Sequence, residues 1–231
     1  MRTQNELLLD GSYEYFSKGV LYAQENFSLY RIPDQKNYEL IAEVFSRLEN
    51  GELLKVNVKM SLNSQYYPTY LSVENSLGDK YTYETFHVDL LDQRLKYVFK
   101  NKNFSHDYNQ SFDSKRYLTS PAFSTSCLFT LTRNFDATGK TILTFINSTN
   151  EWEYQSNPSE KIVYAEYKAR TLTDYSLHGS THHASHVCLY ESDEDISGVD
   201  IYISKHYGIP YELIDNDLNI KIKNLKKHEV D

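Results

Sequence analysis

The sequence predicts an all-β protein: a single curled antiparallel sheet, an unclosed or open β-barrel of about 11–13 strands, with one short helix midway. Three observations predict it. Tyrosine and phenylalanine are abundant, at 21 and 11 of 231 residues, against 2 Met and 1 Trp; aromatic side chains favour pleated, half-buried surface. Apolar and polar residues alternate with period two from end to end, as in strands with one wet face. Turn residues interrupt that alternation at spacings of roughly ten residues, and no strand–helix–strand rhythm appears.

The elements follow in order. Tyr13 and Tyr15 open the alternation, and Phe27 and Leu29 continue it to Ile32, where Pro33-Asp34 turns the chain. Leu40, Ala42 and Val44 alternate with Glu39, Ile41 and Glu43 before Asn50-Gly51, the strongest hairpin signal in the chain. Leu54, Val56, Val58 and Met60 then share one face of a strand, with Lys55, Asn57 and Lys59 on the other. A strand over 70–73, a Gly78-Asp79 turn and a return through Tyr81, Tyr83 and Thr85 come next, then Leu95, Tyr97 and Phe99 against Lys96, Val98 and Lys100.

The segment 120–131 breaks the pattern. Its apolar residues Phe123, Cys127, Leu128 and Leu131 fall on one helical face, with Ser120 as N-cap and Pro121 at the first position. The strand pattern resumes over 140–145, 161–169, 182–191, 200–204 and 217–225. With no Pro/Gly/Ser-rich linker, the chain reads as one domain over 1–231: a β half over 1–117, a helical insert over 118–134 and a β half over 135–231.

Charge narrows the partners. With 24 basic and 32 acidic residues the formal net charge is −8, and nucleic-acid or anionic-membrane binding relies on clustered Lys and Arg. The cluster Lys221, Lys223, Lys226 and Lys227 reads as a solvated strand end. No apolar run reaches the length of a membrane span. Two cysteines far apart, Cys127 and Cys188, read as free thiols of a reducing compartment, and with no signal peptide evident the expected location is the cytoplasm.

In its order of features the chain resembles the unclosed β-barrel fold of bacterial lipoprotein carriers and related bacterial domains of unknown function. The residues that carry this are the Tyr13–Tyr15 strand with Gly19, the strands over 52–63 and 67–76, the 120–131 insert and the closing hairpins over 199–225. The resemblance implies a curled sheet whose concave face shelters an apolar ligand.

The functional expectation is therefore binding of an apolar or polycyclic small molecule in the concavity of the sheet. Tyr83, Tyr97, Phe99, Tyr164, Cys188 and Tyr190 are the candidate ligand-binding residues, as aromatic or soft groups on strands. The alternative is a cofactor-independent enzyme of cyclase, isomerase or dehydratase type, working in the same cavity with one His, Tyr or acid. Four of the eight histidines, His178, His182, His183 and His186, lie within nine residues, and His186, His182 and Tyr202 are the candidate catalytic groups. The spacing of His182, His186 and Cys188 suits a soft metal only with help from neighbouring strands, and no metal or cofactor is expected. Asp193, Glu194 and Asp195 read as an acidic hairpin tip. A third reading, partner binding or a homodimer, follows from the unpaired edges of an open sheet.

Overall fold

The computed structural model describes residues 5–132, 135–169, 171–192 and 198–229; the acidic tip Asp193, Glu194 and Asp195 lies outside them. The first half holds β1 (Glu6–Ser17), β2 (Val20–Ile32), β3 (Asn37–Arg47), β4 (Leu53–Leu62), β5 (Pro68–Leu77), β6 (Lys80–Asp89), β7 (Arg94–Asn101) and β8 (Ser105–Ser111). The second holds β9 (Tyr117–Leu118), β10 (Lys140–Asn147), β11 (Ser159–Tyr167), β12 (Thr173–Leu177), β13 (Ser180–Tyr190), β14 (Val199–Ser204), β15 (Pro210–Asp215) and β16 (Leu218–Lys227).

These strands form one 16-stranded sheet that is not closed. Its path runs from β8 back through β7 to β1, crosses to β16, and continues through β15, β14, β13, β11 and β10 to β9, with β12 paired to β13 alone. The pairings are antiparallel except that of β9 with β10. The all-β curled sheet expected from sequence is thus observed, with more strands than counted. The additional ones are β8, β9, β12 and β15, which are short, polar or both.

Tight turns join the first eight strands because the sequence supplies residues that tolerate a left-handed backbone. Lys18-Gly19, between β1 and β2, adopts two successive positive φ angles, the combination that matches the twist of a two-residue hairpin, and His178-Gly179 does the same between β12 and β13 in the second half. Gly11 is needed for a different reason. A Cβ there would lie 2.5 Å from the Asn224 carbonyl oxygen and 2.7 Å from the Phe27 ring, so only glycine lets β1 pass between β2 and β16.

The core-facing side of the curl carries Leu9, Tyr13, Phe27, Leu29, Leu40, Met60, Leu71, Leu95, Tyr97 and Phe99, all essentially inaccessible. The chain leaves the sheet at β8 and re-enters its interior as a plug. Ala122, Phe123, Cys127, Leu128 and Phe129 are buried there, and Tyr117 stacks on Tyr67 of the β4–β5 connection at 5.8 Å.

The plug is helical, but as two short 3-10 turns, Phe123–Thr125 and Leu128–Thr132, in place of one regular helix. Two causes are visible. Phe123, Ser124 and Thr125 are consecutive and all buried, so the segment has no solvent face to spare. The hydroxyls of Thr125, Thr130 and Thr132 donate to the carbonyls three residues earlier, at 2.8, 2.7 and 2.6 Å, competing with the ordinary helical ladder. Ser120 does start the segment, accepting from the Ala122 N–H at 3.1 Å.

Glu25 of β2 fixes the plug in place. Its carboxylate accepts from the Tyr15 hydroxyl, from the Phe123 N–H at 2.8 Å and from the Ser124 N–H at 3.1 Å. Burial pushes its pKa up, against the opposing pull of these donors. Both cysteines are free and buried.

Candidate functional site

The alternation of β4, β5 and β6 sends Leu54, Val56, Val73, Asn75, Leu77, Glu84 and Phe86 to the core-facing side near the hairpin ends of the sheet. The plug does not reach this end. It stops at Thr119, Ser120 and Pro121, which form one wall of a cleft of about 570 Å³. The opposite cover is the end of β10, with Asn147, and the connection after it, whose Ser148, Asn150, Glu151 and Trp152 complete the lining.

That connection acts as a strap, held by hydrogen bonds to distant strands. Asn150 accepts from the N–H groups of Gln155 and Ser156 at 2.7 and 3.1 Å, which folds the strap on itself. Asn101 at the end of β7 donates to the Trp152 carbonyl at 3.1 Å. Tyr154 packs against His106 with ring centroids 4.3 Å apart, and Asn157 meets His106 Nε2 at 3.0 Å. Residues some fifty positions apart thereby cover the cleft, while the connection itself runs over the surface with most of its residues exposed.

At the floor lies Glu84, only 4% exposed. It accepts a hydrogen bond from the Tyr97 hydroxyl at 2.8 Å, and Tyr97 in turn accepts one from Asn150 Nδ2 at 2.7 Å. Burial raises the Glu84 pKa above the ordinary carboxylate value, while Ser148 and Tyr97 lower it. The same burial, with Glu84 beside it, pushes the Tyr97 hydroxyl up. The cleft is thus an apolar slot with one tuned carboxyl at its base and the single tryptophan of the chain at its side, which is the general form of a small-molecule site.

The residues singled out from sequence distribute over several places. Tyr97 does not line the cleft but is buried behind it, where its hydroxyl supports Glu84. Phe99 is fully buried, with its ring 5.9 Å from Tyr154 of the strap. Tyr83 occupies the other face of β6 from Glu84 and shares a hydrogen bond with Tyr70 at 3.1 Å. Tyr164 and Tyr190 face each other in register across β11 and β13. Tyr190 also receives the Lys168 ammonium at its hydroxyl, and burial raises the pKa of nearby Cys188.

His186 and Tyr202 are register partners on β13 and β14, with rings stacked 4.6 Å apart. Asp200 bonds His186 Nε2 at 2.9 Å. His182 is displaced from them and packs on Tyr211 at 5.7 Å. None of the three lines the cleft. His183 meets Asp174 in solvent and His178 reaches the Lys223 carbonyl. Among the described residues no group of three His, Cys, Asp or Glu is arranged to hold a metal ion.

Sequence reasoning did not find Glu84, Asn150 or Trp152. Two signals bear on them: a carboxylate within the run Thr82, Glu84, Phe86, Val88, whose other members face the core, and the uniqueness of the tryptophan.

By its open 16-stranded sheet the chain is an unclosed β-barrel-like protein. It is similar to the crystal structure of a beta-barrel-like protein of the domain of unknown function DUF1849 from Brucella abortus, with a TM-score of 0.59 and 7% identity over 98% of this chain and 100% of that one. It is also similar to a DUF1089 family protein from Pseudomonas aeruginosa, with a TM-score of 0.51 and 7% identity over 81% of this chain and 87% of that one. These likenesses bear out the resemblance to bacterial β-barrel domains of unknown function, at the level of fold. No protein-family model matches the chain, and no curated protein matches it. Among the described residues no helix is long and apolar enough to cross a membrane.

Proposed function

We propose that the protein binds an apolar or polycyclic small molecule in the cleft between β4–β6 and the strap. The observation that carries this reading is the 570 Å³ space itself, lined by Leu48, Leu54, Val56, Leu77, Phe86 and Trp152. A space of that size falls in the range of pockets that enclose drug-sized ligands.

The cofactor-independent enzyme is supported less well. Its one favourable observation is the Asp200–His186 hydrogen bond at 2.9 Å, which would orient an imidazole for proton transfer. Those residues lie away from the cleft, and the ionisable groups within it are Glu84 and Glu151. Binding is the reading adopted.

Trp152 makes the test direct. N-phenyl-1-naphthylamine, a dye uncharged at neutral pH, accepts energy from tryptophan. Titrated into the protein, it is expected to show saturable emission on excitation of Trp152. In Val73→Phe, which adds a ring to the cleft wall, its affinity is expected to fall at least about tenfold, or about 1.4 kcal/mol. A dye signal absent from the wild type, or unchanged in Val73→Phe, would overturn the proposal.

A further inference from the structure

We infer that the ligand of this cleft carries a protonated amine, seated on Glu84 with its apolar body against Leu54, Leu77 and Trp152. The inference rests on the binding reading above and names the chemical class that the cleft selects.

Three features of the lining point the same way. Among the described residues its ionisable groups are two carboxyls, Glu84 at the floor and Glu151 at the strap, and no Lys, Arg or His lines it. Glu84 is 4% exposed and its environment supplies hydroxyls but no cation among the described residues. A buried carboxyl is costly to ionise without a positive partner. A ligand ammonium supplies that partner, in a medium where the attraction is screened far less than in water. The remaining polar groups include acceptors: Asn75 commits one of its two amide N–H groups to Thr82 at 3.1 Å, and its carbonyl oxygen is left to accept.

Aromatic faces add to the preference. Trp152 already draws the Lys80 ammonium to 5.9 Å from its ring centroid on the rim, as an indole does with cations. Phe86 forms part of the same lining as Glu84. An anionic ligand would meet two carboxyls in the lining, with the Lys80 ammonium present only at the rim. A neutral apolar ligand would fill the slot but leave Glu84 without a positive partner, held only by its hydroxyl donors.

Three probes of one shape separate this inference from its parent reading: 1-naphthylmethylamine, 1-naphthalenemethanol and 1-naphthoate. By calorimetry at neutral pH the amine is expected to bind at least tenfold tighter than the alcohol, and the carboxylate weakest. The amine's advantage should grow as pH rises, because Glu84 must lose its proton to pair. In Glu84→Gln the ratio of amine to alcohol affinity should fall to within threefold of unity and lose that pH dependence. Equal binding of amine and alcohol by the wild type would overturn the inference while leaving the binding reading standing, as would a preference that persists in Glu84→Gln. Binding of none of the three would overturn both. Should Glu84→Gln fail to fold, the wild-type pH profile decides: an amine-to-alcohol ratio that is flat with pH contradicts the inference.

Discussion

Glu25 shows how much one side chain can hold when it is buried with the right donors. It gathers the Tyr15 hydroxyl and the N–H groups of Phe123 and Ser124 inside the curl. Glu25→Ala leaves those donors unpaired, at a cost of about 3 kcal/mol, and chemical denaturation should show the loss. Gly11 is equally specific. Gly11→Ala drives a methyl into the Asn224 carbonyl and the Phe27 ring; overpacking of this kind costs about 1–3 kcal/mol, and in a domain of this size each kcal/mol lowers Tm by about 2–4 °C. Glu84 gives a signed pH effect. Its folded pKa is raised, so its neutral form is favoured by folding. The stability tied to it is fully present below the unfolded carboxylate value and is lost as pH rises through the folded one. Measured against Glu84→Gln, the wild type should therefore lose stability with rising pH across that window; a gain would contradict the assignment.

At the scale of elements, local pattern was readable where one face of a strand is wet. Val56, Val58 and Met60 are buried on β4 while Lys59 is exposed, and Asn50-Gly51 does turn the chain between β3 and β4. It was unreadable where burial surrounds the chain. The spacing of Phe123, Cys127, Leu128 and Leu131 fits a helix face and a plug equally, and the choice was made by threonine hydroxyls and the closed interior. The strap was hidden for another reason. Asn150 meets Tyr97, and Trp152 meets Asn101, across some fifty residues, and no local periodicity encodes such closure. Parity misled on β6: Tyr83 looks like a lining residue, yet Glu84 beside it faces the cleft. The plug has its own test. Arg116, buried beside β9, reaches Glu160 of β11 at 2.9 and 3.2 Å. Arg116→Met should speed amide exchange at Thr119, whose N–H donates to Ile146 at 3.1 Å, more than at amides of β4 and β5. Uniform loss of protection would show instead that β9 does not open independently.

The whole molecule is a sheet whose two halves are joined at the pairing of β1 with β16, curled around a plug drawn from its own middle. That arrangement fills much of the concavity that sequence alone would assign to a ligand and leaves a cleft at the hairpin end, where Trp152, Glu84 and the β4–β6 wall converge. The fold class and the interruption over 120–131 were legible because alternation and turn chemistry are local, whereas whether the sheet closes was not. The cleft was not, because it is what remains after the plug and the strap are placed. A small apolar ligand in this remaining space, as proposed, would lie against Trp152. The most direct measurement of this is the single tryptophan indole signal in a proton–nitrogen correlation spectrum during titration with 1-naphthalenemethanol. A saturable shift of the Trp152 signal, weakened at least about tenfold in affinity by Val73→Phe, is the result expected; a Trp152 signal that does not move at saturating ligand would contradict it.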